Sequence, residues 1–411
     1  MRIGFATDAY LPHVSGVTHY VSLNSRYLER HGHEAFVFSF SGLKDQSTGP
    51  SHITSPGLEV PGTSGYYVGP RLTREARRVM ATMDVVNVEN PFLTGRMALA
   101  VCKPLGIPVV FVNHTRVDLY AKYYAKGAPP HLRDAFVRRE LRKFCRKVDL
   151  VLSPSAGMVE VLREMGVDTE IDVVPNGVEI APFLCVPRGF DAAERLRAQR
   201  RAVLGIGPED VVFVYSGRLG PEKSLGMLLE AFATVAHSMP NTMLVLVGGG
   251  PERKRLEAAA AREGLSGRVR FTGMVPYERL AEHLAPCDVW VSASVSEVHP
   301  LTIIEAMAAG LPIVGIASAG VSDAVESGRT GVIAQRPEAS ALAAAMLTLA
   351  SDAERRDAMG LAAREVSKRY AIEATGAQML GIYELLAAKA RERRDAAREA
   401  EASAAETEAH S

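Results

Sequence analysis

Cysteine is scarce and scattered in this chain. Cys102, Cys145, Cys185 and Cys287 lie at least forty positions apart. That spacing leaves no CxxC pair, no zinc-knuckle pattern and no compact disulfide framework, so four reduced thiols are expected. No run reaches the roughly 18 apolar residues that a membrane span requires, which excludes an integral membrane protein of the helical kind. The opening MRIGFATDAY reads directly into a strand and lacks the charged, apolar and small-residue layout of a secretory leader, so a cytoplasmic chain is expected. No solenoid repeat is visible. No nucleic-acid reader module or surface of interleaved basic and aromatic residues accompanies the charge, and nucleic acid is not an expected partner.

What the chain does contain is length and alternation. Its 411 residues, 47% hydrophobic and 23% charged, exceed what one core of about 250 to 300 residues holds, so two α/β domains with a cleft between them are expected. Short β-rich runs alternate with amphipathic stretches, the pattern of parallel strands joined by helical crossovers. Strands are predicted at residues 3–7, 35–40, 85–88, 109–113, 150–153 and 171–174, and again at 212–216, 243–247, 269–272, 289–292 and 313–316. Helices of the second series are predicted to start near Ser224, Pro251, Pro276 and Leu301. The division expected is an amino-terminal domain over 1–183, a connection over 184–207, a second domain over 208–371, a return of 372–388 to the first domain, and a charged, Ala-rich tail over 389–411 that cannot bury a core face.

Lys and Arg balance Asp and Glu over the whole chain, 47 against 47, yet the two parts differ. Residues 1–147 hold 20 Lys and Arg against 11 Asp and Glu, a net +9, which leaves −9 for the remainder. A helical pattern over 133–147 concentrates the excess in Arg138, Arg139, Arg142, Lys143, Arg146 and Lys147, with Val137, Leu141, Phe144 and Val148 on one face. Arg71, Arg74, Arg77 and Arg78 form a second cluster. Such a face is either simply solvated or drawn to an anionic membrane surface.

Two motifs carry the chemistry. Ser296-Glu297-Val298-His299-Pro300-Leu301-Thr302-Ile303-Ile304-Glu305-Ala306 follows a strand and opens a helix. Amides near Leu301 and Thr302 then point into the cleft and favour phosphate, while Glu305 is placed to accept from ribose hydroxyls and Glu297 from sugar hydroxyls. Ser216-Gly217-Arg218-Leu219-Gly220-Pro221-Glu222-Lys223-Ser224 places Arg218 and Lys223 at the carboxyl edge of a sheet, where open α/β folds bind ligands. Fixed cations there stabilise a departing diphosphate without a metal.

With the glycine turn Val247-Gly248-Gly249-Gly250-Pro251-Glu252, these motifs resemble the retaining glycosyltransferases of family four, whose fold is GT-B: two Rossmann-like domains facing across a cleft, with the carboxyl-terminal helix crossing back. The dehydrogenase alternative fails, because GxGxxG breaks at Arg253. The resemblance implies a nucleotide-sugar donor held by Gly16, Arg218, Lys223, Gly249, Glu297, His299, Leu301, Thr302 and Glu305, no cofactor and no metal. His114, in Asn113-His114-Thr115 after the fourth strand, resembles the family's active-site histidine, and Gly16 lets backbone approach both substrates. His114, Arg218, Lys223 and Glu297 are the expected catalytic set. The stretch from His114 to Tyr124, with Pro91-Phe92-Leu93-Thr94-Gly95, resembles the branch that glycosylates membrane glycerolipids, which implies a lipid acceptor and an enzyme lying on the inner face of the cell membrane.

Departures are local. Val298, His299 and Pro300 stand where the family usually has Gly, Phe and Gly, and Pro300 has no amide hydrogen to donate. One backbone contact to the donor is therefore expected to be either missing or replaced by the His299 ring. Ser15 replaces the Asn common in the lipid branch. A soluble glycan or metabolite acceptor, a nucleotide-sugar epimerase, and a binding module without catalysis are the rival readings; the hexose and the nucleotide (UDP-glucose, UDP-galactose or GDP-mannose) stay open.

Overall fold

Two parallel sheets organise the chain in the computed structural model, which describes residues 1–11, 13, 15–42, 51–60, 66–119, 129–184 and 191–409. The first sheet takes strands β1 (Arg2–Ala6), β2 (Glu34–Ser41) and β3 (His52–Pro56), skips a small antiparallel pair β4 (Leu58–Glu59) and β5 (Tyr67–Val68), and continues with β6 (Val85–Val88), β7 (Val109–Val112), β8 (Leu150–Ser153) and β9 (Ile171–Val173). Its order is β3-β2-β1-β6-β7-β8-β9. The second contains β10 (Val211–Ser216), β11 (Thr242–Val247), β12 (Val269–Gly273), β13 (Val289–Val291), β14 (Ile313–Ile316) and β15 (Gly331–Ala334), in the order β12-β11-β10-β13-β14-β15. Both reverse direction beside the first strand, the doubly wound arrangement that opens a crevice at the carboxyl ends of the strands.

The physical cause is legible in the strands. β6, β7, β10 and β11 are buried throughout, because helices cover both faces of a parallel sheet and an apolar run is therefore stable on both sides. The predicted strands all form, with ends shifted by one residue at most. β3 and β15 were not expected: His52 and Thr54 interrupt the first, and the second is a four-residue run beginning with Gly331.

The long helix Ile372–Ala409 runs back to the first sheet, where Met379, Tyr383 and Ala387 join the core built on Ile3, Phe5 and Tyr27. Residues 390–401 are helical and mostly exposed. The stretch expected as a connection contains a helix, Asp191–Leu204, anchored on the second sheet by Arg197 and Arg201, which both pair with Asp288 at 2.6 and 2.7 Å. Residues 185–190 of that stretch, Cys185 included, lie outside the described residues. Cys102 and Cys145 are buried free thiols, and Cys287 is buried with its thiol donating to the His283 carbonyl at 3.3 Å.

Candidate active site

The loops after β10 and β13 meet at the carboxyl edge of the second sheet. After Ser216 the backbone turns through Gly217, and the glycine turn after β11 packs on it: a side chain at Gly248 would meet the Gly217 carbonyl oxygen at 1.9 Å, and Leu219 N donates to Gly249 O at 2.8 Å. Only glycine permits that approach. Within the loop, Arg218 donates to Glu222, which is fully buried, at 2.6 Å. Lys223 Nζ donates to Glu297 Oε1 at 2.8 Å, with the two side chains 18% and 13% exposed. Ser296 Oγ donates to the Glu222 carbonyl at 3.2 Å and locks the two loops together. Arg218, Lys223 and Glu297 thus share one neighbourhood.

Glu305 sits on the second turn of the helix Leu301–Ala308, which Pro300 opens. Only 3% of it is exposed, and burial pushes its carboxyl up to about 7, with the adjacent Tyr277 phenol pulling the other way. A buried carboxyl resists ionisation because low dielectric disfavours its charged form.

On the facing sheet, His114 follows β7 and Glu89 follows β6. His114 Nε2 meets Glu89 Oε2 at 2.6 Å, with both side chains at most 5% exposed. Asn87 Nδ2 donates to Glu89 Oε1 at 2.9 Å, and the Tyr20 ring lies 4.4 Å from the imidazole. Gly16 begins the helix Gly16–Arg30, capped by Ser15, and a side chain there would meet nothing within 4 Å. Asp8, at the end of β1, accepts from Thr94 N and the Tyr66 hydroxyl at 3.2 Å each; burial raises its carboxyl to about 6.

The two sides touch through residues 297–300. Val298 packs into the first unit's core and its carbonyl accepts from Ser155 Oγ at 2.9 Å, while the His299 carbonyl accepts from Asn176 Nδ2 at 3.1 Å. The His299 ring turns to Tyr370, 5.1 Å away, and burial holds it near 3, with charge from Arg369 and His114 acting the same way. In this arrangement its carbonyl is engaged by the first unit, and its Nδ1 has no partner among the described residues.

Residues 14–181 match the profile of Glycosyltransferase Family 4, and residues 197–366 that of Glycosyl transferases group 1. An alpha-monoglucosyldiacylglycerol synthase of Acholeplasma laidlawii is 30% identical over 348 residues, 82% of this chain and 86% of that one. The chain belongs to the family 4 glycosyltransferases. A second alpha-monoglucosyldiacylglycerol synthase, from Streptococcus pneumoniae, is 30% identical over 323 residues, 76% of this glycosyltransferase and 70% of its own length. Sucrose-phosphate synthase from Thermosynechococcus elongatus shares the fold with a TM-score of 0.76 at 22% identity, covering 94% of this chain and 99% of its own. The fold is GT-B, and the enzyme is a hexosyltransferase.

Glu89, Glu222 and Tyr277 are the glycosyltransferase's site neighbours that the sequence reading did not single out. Glu89 had a usable signal, since it directly follows the buried strand Val85–Val88 and stands just before the Pro91-Phe92-Leu93-Thr94-Gly95 motif. Tyr277 had none: it lies on a short turn of the second unit and matters only for what folds against it. Among the described residues, no three His, Cys, Asp or Glu side chains gather as a metal-holding group.

The basic helix spans Pro130–Cys145, with Val137, Leu141 and Phe144 docked on the first sheet. Its charges are partly engaged within the protein. Glu140 takes Arg96, Arg139 and Lys143; Arg146 pairs with Asp168 at 2.6 Å; Arg138 donates to the Glu164 carbonyl at 2.7 Å. The Lys147 carbonyl accepts from Lys103, and the Arg142 stem packs on Gly166. Leu132 and Phe136, one turn apart, are 58% and 55% exposed. Arg71, Arg74, Arg77 and Arg78 are all exposed. Tyr120, Tyr123 and Tyr124 of the lipid-branch stretch lie outside the described residues. Among the described residues, no helix is long and apolar enough to cross a membrane.

Proposed function

We propose that this hexosyltransferase retains the anomeric configuration of a hexose taken from a nucleoside diphosphate donor and places it on a hydroxyl of a membrane glycerolipid. The observation that carries the reading is the Lys223–Glu297 pair, an ammonium and a sugar-binding carboxylate held together where the departing diphosphate and the hexose must lie side by side. In a front-face displacement the bond from the anomeric carbon to the diphosphate oxygen breaks with its electron pair going to that oxygen. The acceptor oxygen bonds on the same face, and its proton passes to the departing phosphate. Arg218, Lys223 and the amide end of the Leu301 helix stabilise the charge that develops. Gly16 and Gly249 give close backbone approach, Glu297 and His114 orient the hexose, and Glu305 takes the ribose.

The lipid acceptor draws its support from the two diacylglycerol-glycosylating relatives. A membrane surface draws it from the first part's net positive charge and from Leu132 and Phe136 exposed beside Arg139. Residues 1–183 with 372–388 then form the acceptor side and 208–371 the donor side, at the inner face of the cell membrane. The test is a panel of UDP-glucose, UDP-galactose and GDP-mannose, each with and without diacylglycerol in anionic vesicles at low and high salt. Glycolipid formed from one donor, faster at low salt, is expected. Turnover only with a soluble glycan, or conversion of donor alone, would reject the acceptor or the transfer respectively.

A further inference from the structure

Near the domain boundary three buried polar atoms make no well-formed hydrogen bond among the described residues: His19 Nε2, and the Tyr277 hydroxyl and Glu305 Oε2, which have only each other within reach. They are neighbours. The Tyr277 phenol lies against the Glu305 carboxyl, and the His19 ring, from the other unit, lies 4.0 Å from the Tyr277 ring at a 47° tilt. An unsatisfied buried polar atom costs about 1 to 3 kcal/mol, and a guest carrying hydroxyls would satisfy His19 Nε2 and give the phenol and the carboxyl better partners than each other. His19 is one helical turn from Gly16, so both face the cleft from the same side of the first helix.

We propose that His19 and Tyr277 complete, with Glu305, a ribose pocket whose walls come from both domains, so that the vicinal hydroxyls of the donor's nucleoside are fully recognised only in the closed cleft. This rests on the reading of Glu305 as the ribose-binding carboxylate. The chemistry fits a cis-diol: Glu305 accepts from one hydroxyl, the phenol donates to or accepts from the other, and a neutral imidazole does either according to its tautomer. Burial and the nearby Arg26 hold His19 down at about 4, so it is neutral at physiological pH. Phe183 braces Tyr277 edge-on at 6.2 Å, which fixes the phenol without using its hydroxyl.

Calorimetric titration of the full chain at pH 8 with UDP, GDP and their 2′-deoxy and 3′-deoxy forms tests this, in wild type, Tyr277→Phe, His19→Phe and Glu305→Gln, with thermal melts to verify folding. Wild type is expected to prefer the ribonucleotide, and Glu305→Gln to lose that preference. Tyr277→Phe and His19→Phe should each cut the ribo-to-deoxy ratio by about threefold or more for the deoxy form that lacks the hydroxyl it holds, while leaving the affinity for that form unchanged. Wild-type ratios in both variants, with collapse only in Glu305→Gln, would overturn the pocket and leave the ribose role of Glu305 standing. An unchanged ratio in Glu305→Gln would overturn both. Should a variant melt early, the 15N shift of the His19 imidazole in wild type decides instead: it is expected to move with UDP or GDP and not with the deoxy form, and no movement overturns the proposal.

Discussion

Lys223 Nζ donates to Glu297 Oε1 at 2.8 Å, joining residues 74 positions apart across the β10 and β13 loops. Each charge satisfies the other, and in the proposed reaction a diphosphate takes over the ammonium and a hexose the carboxylate. Lys223→Ala is therefore expected to lower kcat by about a hundredfold or more, the scale of removing one preorganised charge-stabilising group. Its melting temperature should stay within a few degrees of wild type, because the pair is not in the core. Steady-state nucleotide release measures the rate, and near-normal turnover would remove Lys223 from the chemistry.

Glu89 is the second handle. Its carboxylate holds the His114 ring through Nε2 at 2.6 Å, so in the proposed reaction it is Glu89 that orients the imidazole. Glu89→Gln keeps the shape but weakens a charge-assisted hydrogen bond to a neutral one. A drop in kcat of about tenfold with donor KM within about twofold is expected from misorientation alone. Equal loss in kcat and in thermal stability would assign Glu89 to packing instead.

The Glu305 carboxyl, raised from 4.5 to about 7, predicts opposite pH trends for stability and binding. The folded state holds this proton more tightly than the unfolded state, so the associated stabilisation is fully present below about pH 4.5 and is lost as pH rises through 7. The loss is on the order of 3 kcal/mol. Relative to Glu305→Gln, which cannot ionise, wild type should lose melting temperature between pH 5 and 8. Donor affinity should rise over the same window as the carboxylate forms. A difference between the two proteins that is flat with pH would contradict the burial argument.

Ser224, directly after Lys223, has φ 52° and ψ 35°, the only non-glycine residue with positive φ among the described residues. A β-carbon in the left-handed region costs about 1 to 2 kcal/mol. Ser224→Gly relieves it, and a rise in melting temperature of about 2 to 4 °C is expected for a unit of this size. Differential scanning calorimetry checks this; an unchanged or lower melting temperature would mean that the unfolded-state entropy of glycine outweighs the strain.

The strands were readable because parallel β-structure is buried on both faces and leaves continuous apolar runs such as Val109–Val112 and Val211–Ser216. Arg218, Lys223 and Glu297 were readable because they lie in the loops that follow β10 and β13, and Glu305 because it lies in the helix that the second of those loops opens. β3 escaped notice because His52 breaks its pattern, although burial against Ser39 satisfies the ring at 2.8 Å. The engagement of Arg139, Lys143 and Arg146 by Glu140 and Asp168 was equally hidden, since a basic run does not declare its distant carboxylates.

By itself the order of residues determined two doubly wound units and the charged groups that follow the strands of the second, because these follow from local periodicity and from what each strand end must be. Tertiary structure alone decided the pairings: His114 with Glu89, Lys223 with Glu297, and His19 against Tyr277. Contacts between segments that far apart depend on how two cores dock, and docking is settled by the fit of whole surfaces, such as Val298 seated in the opposite core, rather than by any short stretch of chain.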